Sequence, residues 1–246
     1  MSTPTLERRK IVYPDSDGQP MAENTLHFEW IVRFKEGAET LFRDDPNVFV
    51  AGDLLWYPVE GNNELRAAPD GMVVFGRPKG TRGSYLQWEE NDVAPQVVME
   101  FQSPGNRFGQ MLRKFHFYEE YGVEEYYLYD PFQNTLEGWV RKGSRLVPIE
   151  VMKGWVSPRM GIRFAWDDDG LTLLRPDGLP LESYQEVVRR AEAERERALE
   201  EHRRAQAADR RAEDEHRRAQ AADERAERLA AQLRALGVEP ANGSDA

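Results

Sequence analysis

Two acidic residues stand in apolar segments of the chain, an unusual place for a carboxylate. Asp70 lies in "AAPDGMVVF" (residues 67–75) and Glu100 lies in "PQVVMEFQSP" (residues 95–104). Each segment has the length and the β-branched composition of a buried strand. Two acids on neighbouring strand ends can hold one Mg²⁺ or Mn²⁺ between them, because hard cations prefer oxygen ligands.

The chemistry that such a pair would support is hydrolysis of a phosphate ester. A bound cation polarises a phosphate and lowers the pKa of a water molecule, and a nearby lysine would stabilise the developing charge. The spacing alone does not require this site, since Pro69-Asp70 is also a common turn signal. A glycosidase also uses two acids, but the chain gives no sign of the barrel or sandwich that usually carries them.

The composition excludes several other kinds of site. The 246 residues include no cysteine, which excludes disulfides, thiolate catalysis and cysteine-based zinc sites. The net charge of −11 argues against a general nucleic-acid coat protein, although a nuclease built on carboxylates can itself be acidic. The N-terminal region lacks the apolar core of a signal peptide, and no run approaches the ~18 apolar residues of a membrane span. We therefore expect a soluble protein of the cytoplasm with no membrane partner.

The segments around the two acids alternate between helical and strand patterns. A helical apolar stripe occupies residues 24–42, where Asn24 or Thr25 would be the N-cap. Residues 47–59 have the composition of one strand, and residues 123–131 form another that ends in Asp-Pro. Residues 135–151 form a hairpin that turns at Lys142-Gly143-Ser144.

A second helix is predicted after the strand that carries Glu100. It spans residues 106–122 and ends at Gly122. Its predicted apolar side comprises Phe108, Met111, Leu112, Phe115 and Tyr118. The order of helix, two or three strands, helix, strand and hairpin predicts an α/β or α+β domain that ends near residue 181.

The C-terminal part of the chain has a different pattern. "EHRRAQAAD" occurs at residues 201–209 and again at 215–223, a repeat of two heptads. Ser183 and Glu186 form a capping box at the start of the predicted helix, and Gly237 ends it. The sequence therefore divides into a flexible N-terminal arm (1–22), a folded domain (23–181), a long charged helix (182–237) and a disordered tail (238–246).

The heptads of the long helix favour assembly with a second copy. Alanine occupies position a in six successive heptads and arginine occupies position g in six. In a parallel pair each of these arginines meets the following position e of the partner helix, which gives the ion pairs Arg204 with Asp209 and Arg218 with Asp223, whereas an antiparallel pair sets arginine against arginine. Three glutamates at position d weaken the apolar seam. A parallel homodimer and a lone, charge-laced helix both remain open.

Several ordered motifs in the folded domain resemble those of a known family. Pro69-Asp70 is followed by Glu100-Phe101-Gln102-Ser103-Pro104, then by Lys114 and Tyr118. Gly122-Val123, Glu125-Tyr126-Tyr127 and Asp130-Pro131 complete the series. Over about residues 23–150 this pattern resembles the Uma-two family of "putative restriction endonucleases", a branch of the PD-(D/E)xK nuclease-like fold.

The resemblance implies a restriction-endonuclease-like mixed sheet flanked by helices, with Asp70 and Glu100 as metal ligands. In the wider nuclease fold a lysine usually lies two residues after the glutamate, where this chain has Gln102. A neutral amide can orient a water molecule but cannot supply positive charge. In this family the lysine function is supplied by the following helix, which nominates Lys114. Related nucleases often add a third acid from the first helix, where Glu29 is the candidate, although a solvated helix face is the favoured interpretation of Glu29.

Two functions from different classes follow from these residues. The first is a Mg²⁺- or Mn²⁺-dependent endonuclease acting on DNA, in which Asp70 and Glu100 hold the metal, Gln102 lines the site and Lys114 supports the transition state. The second is a catalytically degenerate nuclease fold that serves as a coiled-coil interaction or assembly protein. The glutamine in the lysine position favours the second function, and the presence of both acids favours the first.

Overall fold

A mixed sheet of six strands forms the centre of the first of two units into which the chain divides, Met1–Glu186 and Val187–Ala246. The computed structural model describes residues 11–16, 18, 22, 24–105 and 108–236. The elements in chain order are α1 (Thr25–Leu41), β1 (Val48–Ala51), β2 (Trp56–Tyr57), β3 (Gly71–Phe75), β4 (Tyr85–Leu86), β5 (Val97–Phe101), α2 (Phe108–Glu120), β6 (Glu125–Asp130), β7 (Thr135–Lys142), β8 (Arg145–Pro148), β9 (Arg163–Asp167), β10 (Gly170–Leu174) and α3 (Tyr184–Ala235).

The strands of the central sheet lie in the order β1-β3-β5-β6-β7-β8. All neighbours are antiparallel except β5 and β6, which are parallel and are connected through α2. A parallel pair requires such a crossover, because the chain must return to the starting edge before the second strand begins. Two small sheets accompany the central one, β2 with β4 and β9 with β10. The predicted fold class, a mixed α/β domain followed by a long helix, is confirmed.

The first helix forms where its apolar stripe was predicted. Trp30, Ile31, Phe34 and Ala38 recur at helical spacing and are buried against the sheet. The N-cap is Asn24, whose side-chain oxygen accepts a hydrogen bond from the backbone N–H of His27 at 2.9 Å. This cap fixes the first turn of α1 beside the central sheet.

A close approach between α1 and the sheet depends on Gly71. A Cβ atom at this position would lie 2.3 Å from Cδ1 of Phe34, so any larger residue would push the aromatic ring and its helix outward. Gly71 is the first residue of β3 and directly follows Asp70. The packing of α1 is therefore coupled to the position of that acid.

Side chains of the central strands alternate between two apolar cores. On β5, Val97, Met99 and Phe101 enter the core on the side of α1, whereas Val98 enters the core on the side of α2. Because successive strand residues point to opposite faces, Glu100 shares the face of Val98. The acid of β5 therefore points toward α2.

The structure corrects two details of the predicted elements. Residues 47–59 form two short strands, because Asp53 adopts a left-handed conformation (φ 46°) that interrupts the extended chain. The apolar side predicted for α2 is also wrong at its first turns, where 82% of Phe108 and 44% of Leu112 are exposed. The helix instead packs through Phe115, Phe117 and Tyr118, which lie nearer its C-terminal end.

The basic loop before β4 is tied down by a single acid. Nε of Arg77 donates to Glu90 at 2.7 Å, and Nε of Arg82 donates to the same carboxylate at 2.6 Å. The side chains of all three residues are only 13% exposed. The hydrogen bond and charge of Arg82, with those of Arg77, hold the pKa of Glu90 below its ordinary value of 4.5 despite burial.

We expect Glu90→Gln to lower the free energy of unfolding at pH 7 by about 2 kcal/mol, the contribution of hydrogen bonds to a charged group. Because the pKa of Glu90 is lower in the folded protein, this stabilisation is complete above pH 4.5 and is lost as the pH falls through the folded value. Urea unfolding at pH 7 and at pH 3.5 measures the difference. The exposed neighbour Glu89→Gln is the control, and a loss that is the same at both pH values would contradict the prediction.

The described residues of the N-terminal arm contact the first unit. The hydroxyl of Tyr57 donates to the carbonyl of Pro14 at 2.9 Å, and Asn63 donates to the carbonyl of Val12 at 2.9 Å. The ring of Tyr13 packs against Tyr57. Most of the predicted arm, residues 1–10 with 17 and 19–21, lies outside the described residues, as do the predicted helix end at 237 and the predicted tail at 238–246.

The long helix α3 contains 52 residues and extends about 78 Å at 1.5 Å per residue. Its predicted capping box is confirmed: Ser183 N–H donates to Glu186 at 2.8 Å, and the Ser183 hydroxyl accepts from Glu186 N–H at 3.4 Å. No residue of this described helix is buried. Pairs one turn apart, such as Glu200 with Arg204 and Glu224 with Arg228, connect its charged side chains. Within the described ranges, no helix has the length and apolar character needed to cross a membrane.

Candidate functional site

The antiparallel register of β3 and β5 places the two predicted acids opposite each other. Gly71 pairs with Met99, so Asp70, one residue earlier, stands opposite Glu100 at the end of the ladder. Directly opposed side chains on one face of an antiparallel pair have Cβ atoms about 5 Å apart. Both acids are buried, Asp70 with 7% and Glu100 with 2% of the residue exposed. Like charges at this separation repel, so the surrounding residues must compensate them.

Two residues of α2 bind Glu100. Nζ of Lys114 donates to Oε2 at 2.7 Å, and the hydroxyl of Tyr118 donates to Oε1 at 2.5 Å. Residues four apart on a helix lie on the same face, which is why both reach one carboxylate. Each oxygen of Glu100 thus has a donor from the chain.

Lys114 connects the buried acids to the surface of the protein. Nζ of Lys114 also donates to the carbonyl of Ala68 at 3.1 Å, just before Asp70 in the chain. About a third of its side chain, 31%, is exposed, compared with 3% for Glu100. The side chain of Lys114 is thus partly in solvent, while its ammonium group is bound to Glu100 and to the carbonyl of Ala68.

Asp70 is held by groups different from those that hold Glu100. Its Oδ2 atom accepts a hydrogen bond from the backbone N–H of Phe101 at 2.8 Å. The same oxygen lies 3.0 Å from Nε2 of His27 in the first turn of α1. Asp70 is therefore fixed by β5 on one side and by α1 on the other.

The charges of the site shift the pKa values of its groups in different directions. Burial raises the pKa of Glu100 to about 7, although the Lys114 ammonium acts against this rise. Burial would also raise the pKa of Asp70, but Lys114 and the His27 hydrogen bond outweigh it and hold that pKa below its ordinary value. Burial acts to lower the pKa of Lys114, and the carboxylates of Glu100 and Asp70 outweigh this effect and raise it. The Lys114 ammonium therefore keeps its proton between two carboxyl groups whose pKa values differ.

Asp53 adds a third negative charge near Lys114. Its carboxylate contributes to raising the pKa of Lys114, after the larger contributions of Glu100 and Asp70. The backbone N–H of Asp53 donates to the carbonyl of Pro69 at 3.0 Å. Its left-handed backbone conformation, uncommon outside glycine, places the turn after β1 beside the end of β3.

The other two predicted site residues have different surroundings. Gln102 directly follows β5 and is partly buried, and its backbone N–H donates to the carbonyl of Tyr129 at 2.8 Å. This bond extends the pairing with β6, so alternation keeps Gln102 on the face of Glu100. Glu29 is exposed on α1, and none of the contacts described for the chain joins it to the site.

Two residues of the site were missed by sequence reasoning. No role was predicted for His27, yet it precedes Trp30, Ile31 and Phe34 by three, four and seven positions and so lies on the buried stripe of α1. A buried polar side chain requires a partner, and that signal could have identified it. Tyr118 was recognised as an apolar residue and as part of a motif but not as a site residue, although its spacing of four from Lys114 places both on one helix face.

The donor atoms of the site suit a hard divalent cation. Asp70 and Glu100 provide carboxylate oxygens, and Mg²⁺ is commonly bound through one or two carboxylates with water and substrate phosphates completing its shell. Among the residues that the structure describes, no group of three or more His, Asp or Glu side chains is arranged to hold a metal ion. The pair therefore fits an ion that keeps part of its shell for water and substrate, and it does not fit an all-protein cage.

Comparison with known proteins identifies a family and a similar solved structure. The family model described as "Uma2: Putative restriction endonuclease" matches residues 17–173. Among solved structures, a "putative nuclease belonging to DUF820 from Anabaena variabilis ATCC 29413" is similar with a TM-score of 0.42 and 12% identity, over 55% of this chain and 72% of that chain. No curated protein matches the chain.

Proposed function

Because the chain belongs to the Uma2 family of restriction-endonuclease-like proteins, we propose that it is a divalent-metal-dependent endonuclease that hydrolyses phosphodiester bonds of DNA. The observation that carries this proposal is the buried pair of opposed acids, Asp70 and Glu100, with the ammonium of Lys114 bound to one of them. Two carboxylates can hold the cation of a metal-assisted phosphate hydrolysis, and an ammonium group can stabilise the negative charge that develops.

Each residue of the site has a distinct task in the proposed reaction. Asp70 and Glu100 would hold Mg²⁺ or Mn²⁺, which when bound supplies a Lewis acid for the phosphate and a water molecule of lowered pKa. Lys114 reaches the site from α2 and would stabilise negative charge that develops on the phosphate oxygens. Gln102 would orient water through its neutral amide, since it can donate and accept but carries no charge.

The function can be tested directly on the full chain. We expect nicking or linearisation of supercoiled plasmid DNA in the presence of Mg²⁺ or Mn²⁺ and none in the presence of EDTA. A panel of double-stranded, single-stranded and RNA substrates would identify the preferred nucleic acid. Absence of metal-dependent cleavage of every substrate would contradict the proposal.

A second candidate function is supported by the hydrogen bonds that already occupy the carboxylate of Glu100. Both of its oxygens already have donors from the chain, and Gln102 stands where the wider fold has a lysine. A catalytically degenerate domain acting in assembly would have no need to release these contacts. Calorimetric titration with Mn²⁺ separates the two functions, because binding that depends on Asp70 supports the endonuclease and no binding supports the assembly protein.

We also propose that α3 pairs with the same helix of a second copy in parallel. The alanines at position a form an unburied seam along the helix, and two of the six arginines at position g face an acid of the partner at the following position e. The pairing would place Arg204 opposite Asp209 and Arg218 opposite Asp223. The intrahelical pair of Arg204 with Glu200 competes with this arrangement and would instead support a lone helix.

Charge reversal tests both the pairing and its direction. We expect the double variant Arg204→Glu with Arg218→Glu to raise the dimer Kd about thirtyfold, because four interhelical pairs worth about 0.5 kcal/mol each are lost. Adding Asp209→Arg and Asp223→Arg should restore association if the helices are parallel. Sedimentation equilibrium of the full chain measures the Kd, and a monomeric wild-type protein would contradict the proposal.

A further inference from the structure

His27 is the residue by which α1 reaches the candidate site. Only 8% of its side chain and 10% of that of Asp70 are exposed where Nε2 meets Oδ2 at 3.0 Å. The two residues are 43 positions apart in the sequence and are on different elements. A buried polar contact of this kind has a defined geometry, because water does not compete for either partner.

The contact fixes which ring nitrogen carries the proton. An ionised aspartate can only accept hydrogen bonds, so Nε2 of His27 must be the protonated nitrogen. Oδ2 of Asp70 then accepts two N–H groups, one from His27 and one from the backbone of Phe101. With Oδ2 occupied, Oδ1 is the atom of Asp70 that remains to bind a cation.

The position of His27 is itself supported from two sides. Asn24 caps α1 by accepting the backbone N–H of His27 at 2.9 Å, which fixes the turn that carries the imidazole. The ring of Phe34 occupies the space next to Gly71, which allows α1 to lie close to the strand that follows Asp70. The backbone that carries the imidazole is therefore placed by contacts other than the one with Asp70.

We propose that His27 is a positioning residue that orients the Asp70 carboxylate for cation binding. Its Nε2–H holds Oδ2, which limits rotation of the carboxylate and leaves Oδ1 on the side of the bound ion. Hydrogen bonds to a metal-binding carboxylate act on affinity in this way, and losing one typically costs 10- to 100-fold. The inference rests on the proposed function in one respect, namely that Asp70 binds a divalent cation.

Substitutions of His27 can separate the effect of its N–H donor from the effect of its volume. We expect His27→Leu, which fills the space without a donor, to weaken Mn²⁺ binding at least about tenfold in calorimetric titration of the full chain. His27→Gln places an amide N–H near the position of Nε2 and should stay within about threefold of the wild type. His116→Leu removes an exposed histidine of α2 and is the matched control.

If His27 served only to stabilise the fold, Mn²⁺ affinity would not differ between variants of equal stability. The unfolding midpoint of each is measured in parallel, and the rescue of Mn²⁺ affinity by glutamine at an unchanged midpoint is the expected result. If His27→Leu does not fold, His27→Asn, whose shorter amide cannot reach Asp70, provides the same comparison against His27→Gln.

Nitrogen NMR of the histidines tests the contact without metal. We expect the resonance that disappears in His27→Leu to report protonated Nε2 in the wild-type protein. Wild-type Mn²⁺ affinity that both His27→Leu and His27→Asn leave unchanged would overturn the role of His27 and leave the proposed function intact. A wild-type protein that binds no Mn²⁺ would overturn the proposed function together with the role assigned to His27.

Discussion

Asp70→Asn is expected to reduce metal-dependent DNA cleavage by at least about 10³-fold, a loss of about 4 kcal/mol of transition-state stabilisation. The substitution keeps the shape of the side chain and an oxygen that can accept from Phe101 and His27. It removes the negative charge, however, and with it the main attraction of this site for a divalent cation. Cleavage rates at saturating Mg²⁺, together with Mn²⁺ titration, measure both consequences.

A matched control for Asp70→Asn is present at the end of β6. Asp130 is buried to a similar degree, and its Oδ1 accepts from the backbone N–H groups of Phe132 and Gln133. The oxygen of asparagine can accept both bonds, and Asp130 is not among the proposed metal ligands. Asp130→Asn should therefore leave cleavage within about twofold of the wild type. Unchanged cleavage by Asp70→Asn would show that the opposed acids are not the metal site.

Lys114→Met is expected to have opposite effects on catalysis and on cation binding. Cleavage should fall by about 10²- to 10³-fold, the usual loss when one group that stabilises developing negative charge is removed. Mn²⁺ affinity should rise about tenfold, because the ammonium that binds Glu100 is removed. It then no longer repels the metal or occupies a carboxylate that the metal needs. This combination distinguishes a catalytic lysine from a structural one.

Arg113 gives the control for the lysine experiment. It is the preceding residue on α2 and is exposed, so Arg113→Met removes the same charge at the surface of the same helix. It should change neither cleavage nor Mn²⁺ affinity measurably at physiological salt, where exposed charges are screened. A weaker Mn²⁺ affinity in Lys114→Met would contradict the proposed competition for Glu100.

The sequence was sufficient to identify the strands that carry the acids but not their register. Apolar composition indicated both segments, and the structure has β3 and β5 within them. Their antiparallel pairing, which sets Asp70 opposite Glu100, depends on which strands become neighbours, and local patterns contain no information on that choice. The predicted turn of the β7–β8 hairpin was confirmed because Lys142-Gly143-Ser144 forms a local turn signal.

The first turns of α2 show where periodicity failed. Phe108 and Leu112 continue the helical spacing of the apolar side chains but lie in solvent, because the sheet beneath α2 contacts the later turns. Periodicity identifies a face of a helix but not how far along that face a neighbour extends. The same limit hid Tyr118, whose apolar ring suggested packing and whose hydroxyl binds Glu100.

The basic loop at residues 77–82 illustrates a different limit. Its arginines form a basic cluster in the sequence, but Arg77 and Arg82 both bind Glu90. Glu90 is eight to thirteen positions away and gives no local signal of this pairing. Composition describes which charges are available, and only the folded chain determines which of them are already neutralised.

The ammonium of Lys114 has a consequence for the stability of the protein in the absence of metal. Because it supplies a counter-ion from within the chain, the two opposed carboxylates can be buried before any metal arrives. Small metal-binding domains that lack such a substitute unfold when a chelator is added. Here we expect chelation to leave a folded, dormant protein that can be purified and stored in that form and regains its cation on dilution into Mg²⁺.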